Sequence, residues 1–272
     1  MEYKLTADSG STKTDWLLSD EKGNVQRFST QGINPVMLTE EKIIAILKSE
    51  LFSNIGDRQI GTIEFYGAGC RGAHCDVVSY ALQNVFAPKS IVVESDMLGA
   101  ARALCGSEEG IICILGTGSN SCLYDGNSII QNVSPLGFIL GDEGSGAVLG
   151  KRLMGDLFKQ QLPTSVAQDF FEEYKLSIDD IIQKVYREPM PNRFLASFAP
   201  FLHKHRKCDE IHALIADEFT RFFLRNVANY KRKDLPVHFV GSIAHYFHEE
   251  LLEVANSNGF EIGKIKKAPL DI

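Results

Sequence analysis

The sequence lacks several features that identify common protein classes. None of its six cysteines belongs to a Cys-X-X-Cys pair, and the spacing of its seven histidines matches no zinc motif. No apolar run approaches the roughly 18 residues of a membrane span, and the N-terminus has no signal-peptide core. We therefore expect reduced thiols, a cytoplasmic location and no membrane partner.

Positive charge is also scarce. The chain has 28 Lys and Arg against 35 Asp and Glu, a formal net charge of −7, which argues against an electrostatic surface for nucleic acid. A hydrophobic content of 44% is enough for a real core, and 272 residues allow one large or two ordinary domains. These values fit a soluble enzyme with two lobes.

One heptapeptide near the N-terminus has the composition of a phosphate-binding turn. Residues 8–14 read Asp-Ser-Gly-Ser-Thr-Lys-Thr and lie between two predicted strands. Glycine permits the turn, and the hydroxyls of Ser9, Ser11 and Thr12 can face phosphate oxygens. Asp8 can hold a hydrated Mg²⁺. An ordinary Ser/Gly-rich hairpin is the alternative interpretation.

A matching turn occurs in the second half of the chain. The apolar residues 111–115 run into Gly-Thr-Gly-Ser-Asn-Ser at 116–121 and out through a second short strand. In both copies that second strand closes on a glycine turn, at Gly23 and at Gly126. The repeat predicts a duplicated fold in which two turns grip a polyphosphate from opposite sides. The chain has no Walker motif.

The order of predicted elements indicates an α/β protein with two lobes. Strands and helices alternate over residues 1–109, which we predict to be the first lobe. The second lobe is predicted at 110–272, with a helical insertion at about 145–233.

Two acidic motifs complete the set of candidate functional residues. Asp96 follows a predicted strand and opens a helix, where it can be the N-cap, a base that accepts a substrate proton, or both. Asp142 and Glu143 lie in a glycine-rich loop at 134–146. A carboxylate there either holds sugar hydroxyls or favours the N-terminus of the following helix.

Five segments together carry a resemblance to a known family. They are residues 8–14, 95–100, 115–120, 141–145 and 240–244. In order and spacing they resemble the N-acetylglucosamine kinase branch of the BadF/BadG-type ATPases, within the actin, hexokinase and Hsp70 superfamily. The resemblance implies two actin-like (ribonuclease H-like) lobes with ATP, Mg²⁺ and a sugar in the cleft between them.

The resemblance also implies roles for individual residues. Asp96 would be the base for the sugar 6-hydroxyl, and Asp8 would organise the metal through water. The residues implied for ATP are Ser11, Thr12, Lys13, Gly116, Thr117, Gly118, Gly241 and Ser242. Those implied for the sugar are Asn34, Ser119, Asn120, Gly137, Phe138 and Asp142. Relatives often carry Trp where this chain has Phe138, and a solvated role is the alternative for Lys13.

We therefore expect ATP-dependent phosphorylation of an amino sugar, N-acetylglucosamine or, as the alternative, glucosamine. The resemblance also extends to the activator ATPase of 2-hydroxyacyl-CoA dehydratases, which holds an iron–sulfur cluster. Cys70 and Cys75 are the only close pair of cysteines in the sequence that could serve such a cluster. A dinucleotide site is a further alternative, because residues 67–72 read Gly-Ala-Gly-Cys-Arg-Gly and Glu94 follows at the end of the next predicted strand. The last alternative is a sensor that binds sugar and ATP without turnover.

The end of the sequence gives one more expectation. The superfamily usually has a closing helix near its C-terminus, whereas this sequence ends at 270–272 without one. We expect that contacts in a homodimer replace the helix or that activity is weak.

Overall fold

The structure, a computed structural model, describes residues 2–10 and 12–270. The described residues up to Ala103, together with Pro269 and Leu270, form one compact unit, and Leu104–Ala268 forms a second. Each unit contains a five-stranded sheet and several helices, which confirms the predicted α/β class. The predicted boundary between residues 109 and 110 and the predicted cleft between the lobes stay predictions. Ser11 lies outside the described residues.

The sheet of the first unit is mixed. Its strands are β1 Tyr3–Ser9, β2 Lys13–Asp20, β3 Val25–Gln31, β4 Ile60–Gly67 and β5 Ser90–Ser95. They lie in the order β3-β2-β1-β4-β5, with β1, β4 and β5 parallel and β2 antiparallel to both of its neighbours. Leu5, Ala7 and Ser9 are fully buried, because alternate residues of a strand point to the same face.

Helices cover this sheet. They are α1 Glu40–Ile46, α2 Ser53–Ile55, α3 Ala73–Phe86 and α4 Asp96–Cys105, and a π-helical stretch, Leu47–Phe52, joins α1 to α2. Ile43, Leu47 and Leu51 are fully buried and form the apolar face that the sequence pattern predicts for this segment. Helix α4 begins in the first unit directly after β5, so the residue that opens it lies at the edge of the sheet.

The second unit repeats the sheet of the first. Its strands are β6 Gly110–Leu115, β7 Ser119–Tyr124, β8 Ile129–Gln131, β9 Val237–Val240 and β10 Ile262–Lys266. They lie in the order β8-β7-β6-β9-β10. As in the first sheet, the second strand, β7, is antiparallel to both of its neighbours, and the other three strands, β6, β9 and β10, are parallel. The predicted duplication of the strand, turn and strand unit is therefore confirmed.

Helices separate β8 from β9 and follow β9. They are α5 Gly137–Leu140, α6 Gly146–Phe158, α7 Thr164–Tyr174, α8 Ile178–Tyr186, α9 Pro191–Ala196, α10 Ala199–Lys204, α11 Asp209–Arg225, α12 Ser242–Tyr246 and α13 His248–Ser257. Aromatic rings fill the core between them: Phe170, Phe222 and Phe223 are fully buried. Phe171, which follows Phe170 on the same helix, is 40% exposed. Within residues 2–10 and 12–270, no helix is both long and apolar enough to span a bilayer.

Candidate active site

The carboxyl ends of the parallel strands in the first unit bring two candidate carboxylates to one edge of the sheet. Asp8 on β1 pairs in register with Tyr66 on β4, and Tyr66 pairs with Glu94 on β5. One residue further along, Ser95 ends β5, and Asp96 begins α4. Functional groups commonly collect at this edge of α/β sheets. Two residues far apart in sequence are thus placed at the same end of two parallel strands, β1 and β5, which are separated by β4.

The charges at this edge repel one another. Burial, followed by the negative charges of Asp96 and Asp15, raises the pKa of Asp8 to about 7, and Lys13 opposes that rise. Burial is also the main reason why the pKa of Asp96 is raised. Closely spaced carboxylates of this kind suit a nearby cation, because a divalent ion would offset their mutual repulsion.

At the start of helix α4, one residue caps the helix and the next is the candidate base. The backbone N–H of Leu98 donates to Oγ of Ser95 over 3.2 Å, so Ser95 serves as the N-cap. Asp96 accepts a hydrogen bond from the N–H of Met97 at 2.8 Å. The alternative that Asp96 is itself the N-cap is therefore wrong, because it is the first residue within the helix.

The first turn is organised differently from the sequence-based expectation. The hydroxyl of Ser9 donates to the carbonyl of Ile33 at 2.9 Å and accepts the N–H of Ile33 at 3.0 Å. Ser9 is fully buried, so the expectation that its hydroxyl faces phosphate is wrong. Thr12 and Lys13 are exposed, and Nζ of Lys13 lies 2.7 Å from a carboxylate oxygen of Asp15.

The loop that Ser9 holds carries the candidate sugar residue Asn34. Its side-chain oxygen accepts the N–H of Val36 at 3.0 Å. A Cβ added at Gly69 would lie 2.3 Å from the same oxygen, so a residue with a side chain cannot stand at Gly69 without displacing Asn34. Gly69 also has φ of +81°, a conformation that favours glycine. We did not identify this supporting role from the sequence, although the glycine-rich loop was visible there.

The same loop bears on the dinucleotide alternative. The order β4, loop, α3 and β5 is the order that a dinucleotide site requires. However, the space beside Gly67 is occupied by Phe65 and Cys70, and the space beside Gly69 is occupied by Asn34. These two glycines make room for the protein's own side chains. In a dinucleotide site the glycines instead let the backbone approach the pyrophosphate, so this loop does not support that alternative.

The two close cysteines do not have the character of cluster ligands. Cys70 is only 2% exposed, and burial raises the pKa of its thiol to about 12. Burial also raises the pKa of Cys75. Iron–sulfur clusters are held by thiolates, which these surroundings disfavour.

In the second unit, the second turn rests on the N-terminus of helix α6. The N–H of Gly116 donates to the carbonyl of Gly118 at 2.9 Å, which closes the turn. The carbonyls of Gly116 and Thr117 accept the N–H groups of Gly146 and Ala147, at 2.8 and 3.1 Å. Two of the donors that a helix N-terminus leaves unpaired are used in this way, and they fix the turn to the helix.

This turn lines a cavity of about 480 Å³. Gly116 and Thr117 contribute to its wall, and so does Ser242, which follows Gly241 after β9. Gly241 has φ of +124°, and a Cβ there would lie 2.2 Å from the carbonyl oxygen of Leu115. The rest of the wall consists of Ala196, Ser197, Ala199, Pro200, His203, Ile243, Tyr246 and Phe247. The sequence predicted the turn and the Gly241 motif but not the wall that the inserted helices supply.

The loop before α6 places Asp142 against the second turn. A Cβ at Gly118 would lie 3.0 Å from Oδ2 of Asp142. The Asp142 carboxylate lies near the backbone N–H groups of Ser119 and Gly137. Burial raises the pKa of Asp142 to about 6, assisted by the negative charge of Glu143 and opposed by those two N–H groups. The structure thus brings three of the predicted sugar residues together.

Neighbouring residues hold this loop in place. Glu143 is buried and forms an ion pair with Arg225. Its carboxylate is therefore engaged within the protein. Phe138 packs against the core of the unit, and its carbonyl accepts a hydrogen bond from Nζ of Lys151 at 2.8 Å. Asn120 lies on β7, and its side-chain oxygen accepts from Asn132 at 2.9 Å.

No group of three or more His, Cys, Asp or Glu side chains is arranged to hold a metal ion within the described part of the chain. Mg²⁺ characteristically binds through one or two carboxylates and several waters.

Two sheets of the same topology, each with a polar turn after its first strand, define a duplicated actin-like fold. No model of a known protein family matches the chain. It is 48% identical to a proposed N-acetylglucosamine kinase from Porphyromonas gingivalis of known crystal structure, with a TM-score of 0.96 over 98% of this chain and 95% of that one. The chain therefore belongs to the family of N-acetylglucosamine kinase-like proteins, and the resemblance seen in the sequence is confirmed.

Two curated relatives are more distant. The chain is 27% identical over 212 residues to an N-acetylmuramic acid/N-acetylglucosamine kinase of Clostridium acetobutylicum, which spans 72% of this chain and 68% of the relative. It is 24% identical over 219 residues to the glucosamine kinase GspK of Vibrio cholerae, across 77% of this chain and 74% of the relative. The names of all three relatives describe kinases of amino sugars.

Proposed function

We propose that this protein transfers the γ-phosphate of ATP to the 6-hydroxyl of an amino sugar, with N-acetylglucosamine as the preferred substrate and glucosamine as the alternative. The observation that carries the proposal is the placement of Asp8 and Asp96 at one edge of the first sheet. A phosphoryl-transfer enzyme needs a carboxylate that organises the metal and another that receives the proton of the nucleophile.

The nucleotide part of the proposal is supported by the cavity in the second unit. Gly116 and Thr117 would bind phosphate oxygens through the turn, while Ser242 and the largely apolar wall would contact the adenosine. The remaining residues proposed to contact ATP are Ser11, Thr12, Lys13, Gly118 and Gly241. An apolar pocket with few polar groups at one end suits a molecule with a flat base and a charged tail.

The sugar part is supported by the cluster around Asp142. A carboxylate accepts hydrogen bonds from sugar hydroxyls, while Asn34 and Asn120 can both accept and donate. The full proposed set is Asn34, Ser119, Asn120, Gly137, Phe138 and Asp142. Phe138 would pack against a face of the sugar or its N-acyl group.

In the proposed reaction, Asp96 accepts the proton of the 6-hydroxyl as that oxygen forms a bond to the γ-phosphorus. The bond between the γ-phosphorus and the β,γ-bridging oxygen breaks, and ADP leaves. The raised pKa of Asp96 makes it a better proton acceptor than an exposed aspartate. Mg²⁺, when bound near Asp8 through water, would neutralise charge on the phosphates.

The proposal extends to the setting of the enzyme. We place it in the cytoplasm, where ATP is available, with the sugar and ATP as its small-molecule partners and no nucleic acid. A homodimer and the two-lobe division at residues 109 and 110 are parts of the same proposal.

A coupled ADP-release assay over a panel of hexoses with ATP and Mg²⁺ tests the proposal. Asp96→Asn should lower kcat by about 10²- to 10⁴-fold with little change in the KM for the sugar, because only the proton acceptor is removed. Asp179→Asn, on the exposed side of α8, is the matched control and should leave turnover unchanged. Undiminished turnover in Asp96→Asn would overturn the assignment, and the ratio of kcat/KM for N-acetylglucosamine and glucosamine identifies the substrate.

A further inference from the structure

The amide of Asn120 is held by a second asparagine that no motif points to. Its side-chain oxygen accepts two hydrogen bonds, from the N–H of Ser121 and from Nδ2 of Asn132, both at 2.9 Å. Asn132 follows β8 and is twelve residues away in sequence. The two donors occupy one end of the Asn120 amide.

The orientation of both amides follows from the groups around them. A backbone N–H can only donate, so the Asn120 atom that faces the N–H of Ser121 must be the oxygen. A backbone carbonyl can only accept, and Asn132 faces the carbonyls of Ser121 and Val133. The Asn132 atom at that position must therefore be the nitrogen, whose two N–H bonds are shared between these carbonyls and the Asn120 oxygen.

The segment that carries Asn132 is itself fixed. The N–H of Val133 donates to the hydroxyl of Tyr230 at 3.2 Å, and that hydroxyl lies 2.7 Å from Oγ of Ser121. Ser121 and Tyr230 are both buried, so their polar atoms depend on these partners. The network ties the segment before the Asp142 loop to strand β7.

We infer that Asn132 is a positioning residue that, together with the N–H of Ser121, makes Asn120 present its NH₂ group to the substrate, so that Asn120 acts as a hydrogen-bond donor. The inference rests on the proposed function, which places Asn120 in the sugar site. A donor at this position selects an acceptor oxygen, such as a hydroxyl or an acetamido carbonyl. It disfavours an ammonium group, which has no lone pair to accept with.

A double-mutant cycle tests the inference, with KM and calorimetric Kd for N-acetylglucosamine as readouts. Asn132→Ala should raise both constants about five- to tenfold and leave kcat within about twofold, because one aligned donor is lost from substrate binding. In an Asn120→Ala background the same substitution should have no further effect, since Asn132 acts through Asn120. Asn127→Ala, at an exposed position in the same hairpin, is the control and should change neither constant.

A second variant separates hydrogen bonding from size. Asn132→Asp has nearly the same shape but replaces the donor with an acceptor, so it should weaken sugar binding at least as much as Asn132→Ala. Asn132→Asp also provides the test if Asn132→Ala has a lowered Tm and is not fully folded at the assay temperature. Effects of Asn132→Ala and Asn120→Ala that add in the double variant overturn the inference, as does an unchanged Kd in both Asn132 variants.

The calorimetric arm separates this inference from the proposed function. Wild-type protein that binds N-acetylglucosamine without phosphorylating it, and loses that binding in Asn132→Ala but not further in the double variant, supports the inference and contradicts the kinase activity. Wild-type protein that turns over the sugar with additive variants supports the activity and contradicts the inference. Wild-type protein that binds no amino sugar contradicts both.

Discussion

At the scale of single residues, the partly buried carboxylate of Asp142 should make sugar binding depend on pH. Its pKa is raised to about 6, so the group is ionised above that pH and becomes neutral as the pH falls through it. A neutral carboxyl group is a weaker acceptor for sugar hydroxyls. We expect the KM for N-acetylglucosamine to rise below about pH 6, measured from pH 5 to 8 at saturating ATP and Mg²⁺.

Asp142→Asn is the control for this prediction. The variant should have a higher KM throughout, without the additional rise below pH 6, because no carboxylate remains at this position to titrate. The comparison uses KM because protonation of Asp96 changes kcat in its own way. A wild-type KM that stays flat down to pH 5 contradicts the prediction.

For the first turn, the sequence predicted a polar turn but not the direction in which each side chain points. The composition of residues 8–14 indicated a polar turn, but the hydroxyl of Ser9 points inward to Ile33. The inward orientation of Ser9 could have been predicted from strand alternation, because Leu5, Ala7 and Ser9 lie on one face of β1 and Asp8 lies on the other. The backbone partner of that hydroxyl could not be predicted, because Ile33 reaches it only through the pairing of three strands.

At the scale of elements, the loop between β4 and α3 should affect the sugar site through Asn34. In Gly69→Ala the new methyl group would lie 2.3 Å from the Asn34 side-chain oxygen and displace it. We expect the KM for N-acetylglucosamine to rise by roughly tenfold, the order of one or two lost hydrogen bonds. Steady-state kinetics together with thermal melting would measure both effects.

Gly72→Ala in the same loop is the matched control. Gly72 also has positive φ, at +51°, but a Cβ there meets no atom within 4 Å. Both variants should lose about 1–3 kcal/mol of stability from backbone strain, while only Gly69→Ala should change the KM. An equal rise in KM for both would show that loop strain, and not contact with Asn34, is the cause.

Local patterns predicted most elements but not what they enclose. The apolar face of the segment from Glu40 was visible because helical periodicity is local. The helices around Ala196 and His203 were expected as an insertion, yet their part in the cavity beside Gly116 was not. That role depends on how the inserted helices pack on the second sheet.

At the scale of the whole molecule, nucleotide binding should stabilise the fold. A ligand at about 100 times its Kd adds roughly 2.7 kcal/mol to the free energy of unfolding. For a chain of this size each kcal/mol raises Tm by about 2–4 °C, so ATP with Mg²⁺ should raise Tm by several degrees. Differential scanning fluorimetry with and without the nucleotide measures the shift.

NAD⁺ and NADH provide the comparison for the same experiment. They should leave Tm unchanged, because the glycines at 67 and 69 make room for side chains of the protein. Purified protein should also lack the visible absorption of an iron–sulfur cluster. A Tm raised by NADH but not by ATP with Mg²⁺ would favour the dinucleotide alternative over the kinase.

The sequence by itself determined the α/β class, the duplicated unit and the candidate carboxylates Asp8 and Asp96, because strand periodicity and turn composition are local properties. The tertiary structure decided which groups face one another: Asp142 with the N–H of Ser119, and Asn132 with Asn120. These contacts join segments that are separated along the chain. Strand pairing and helix packing fix their distances, and neither can be read from local sequence patterns.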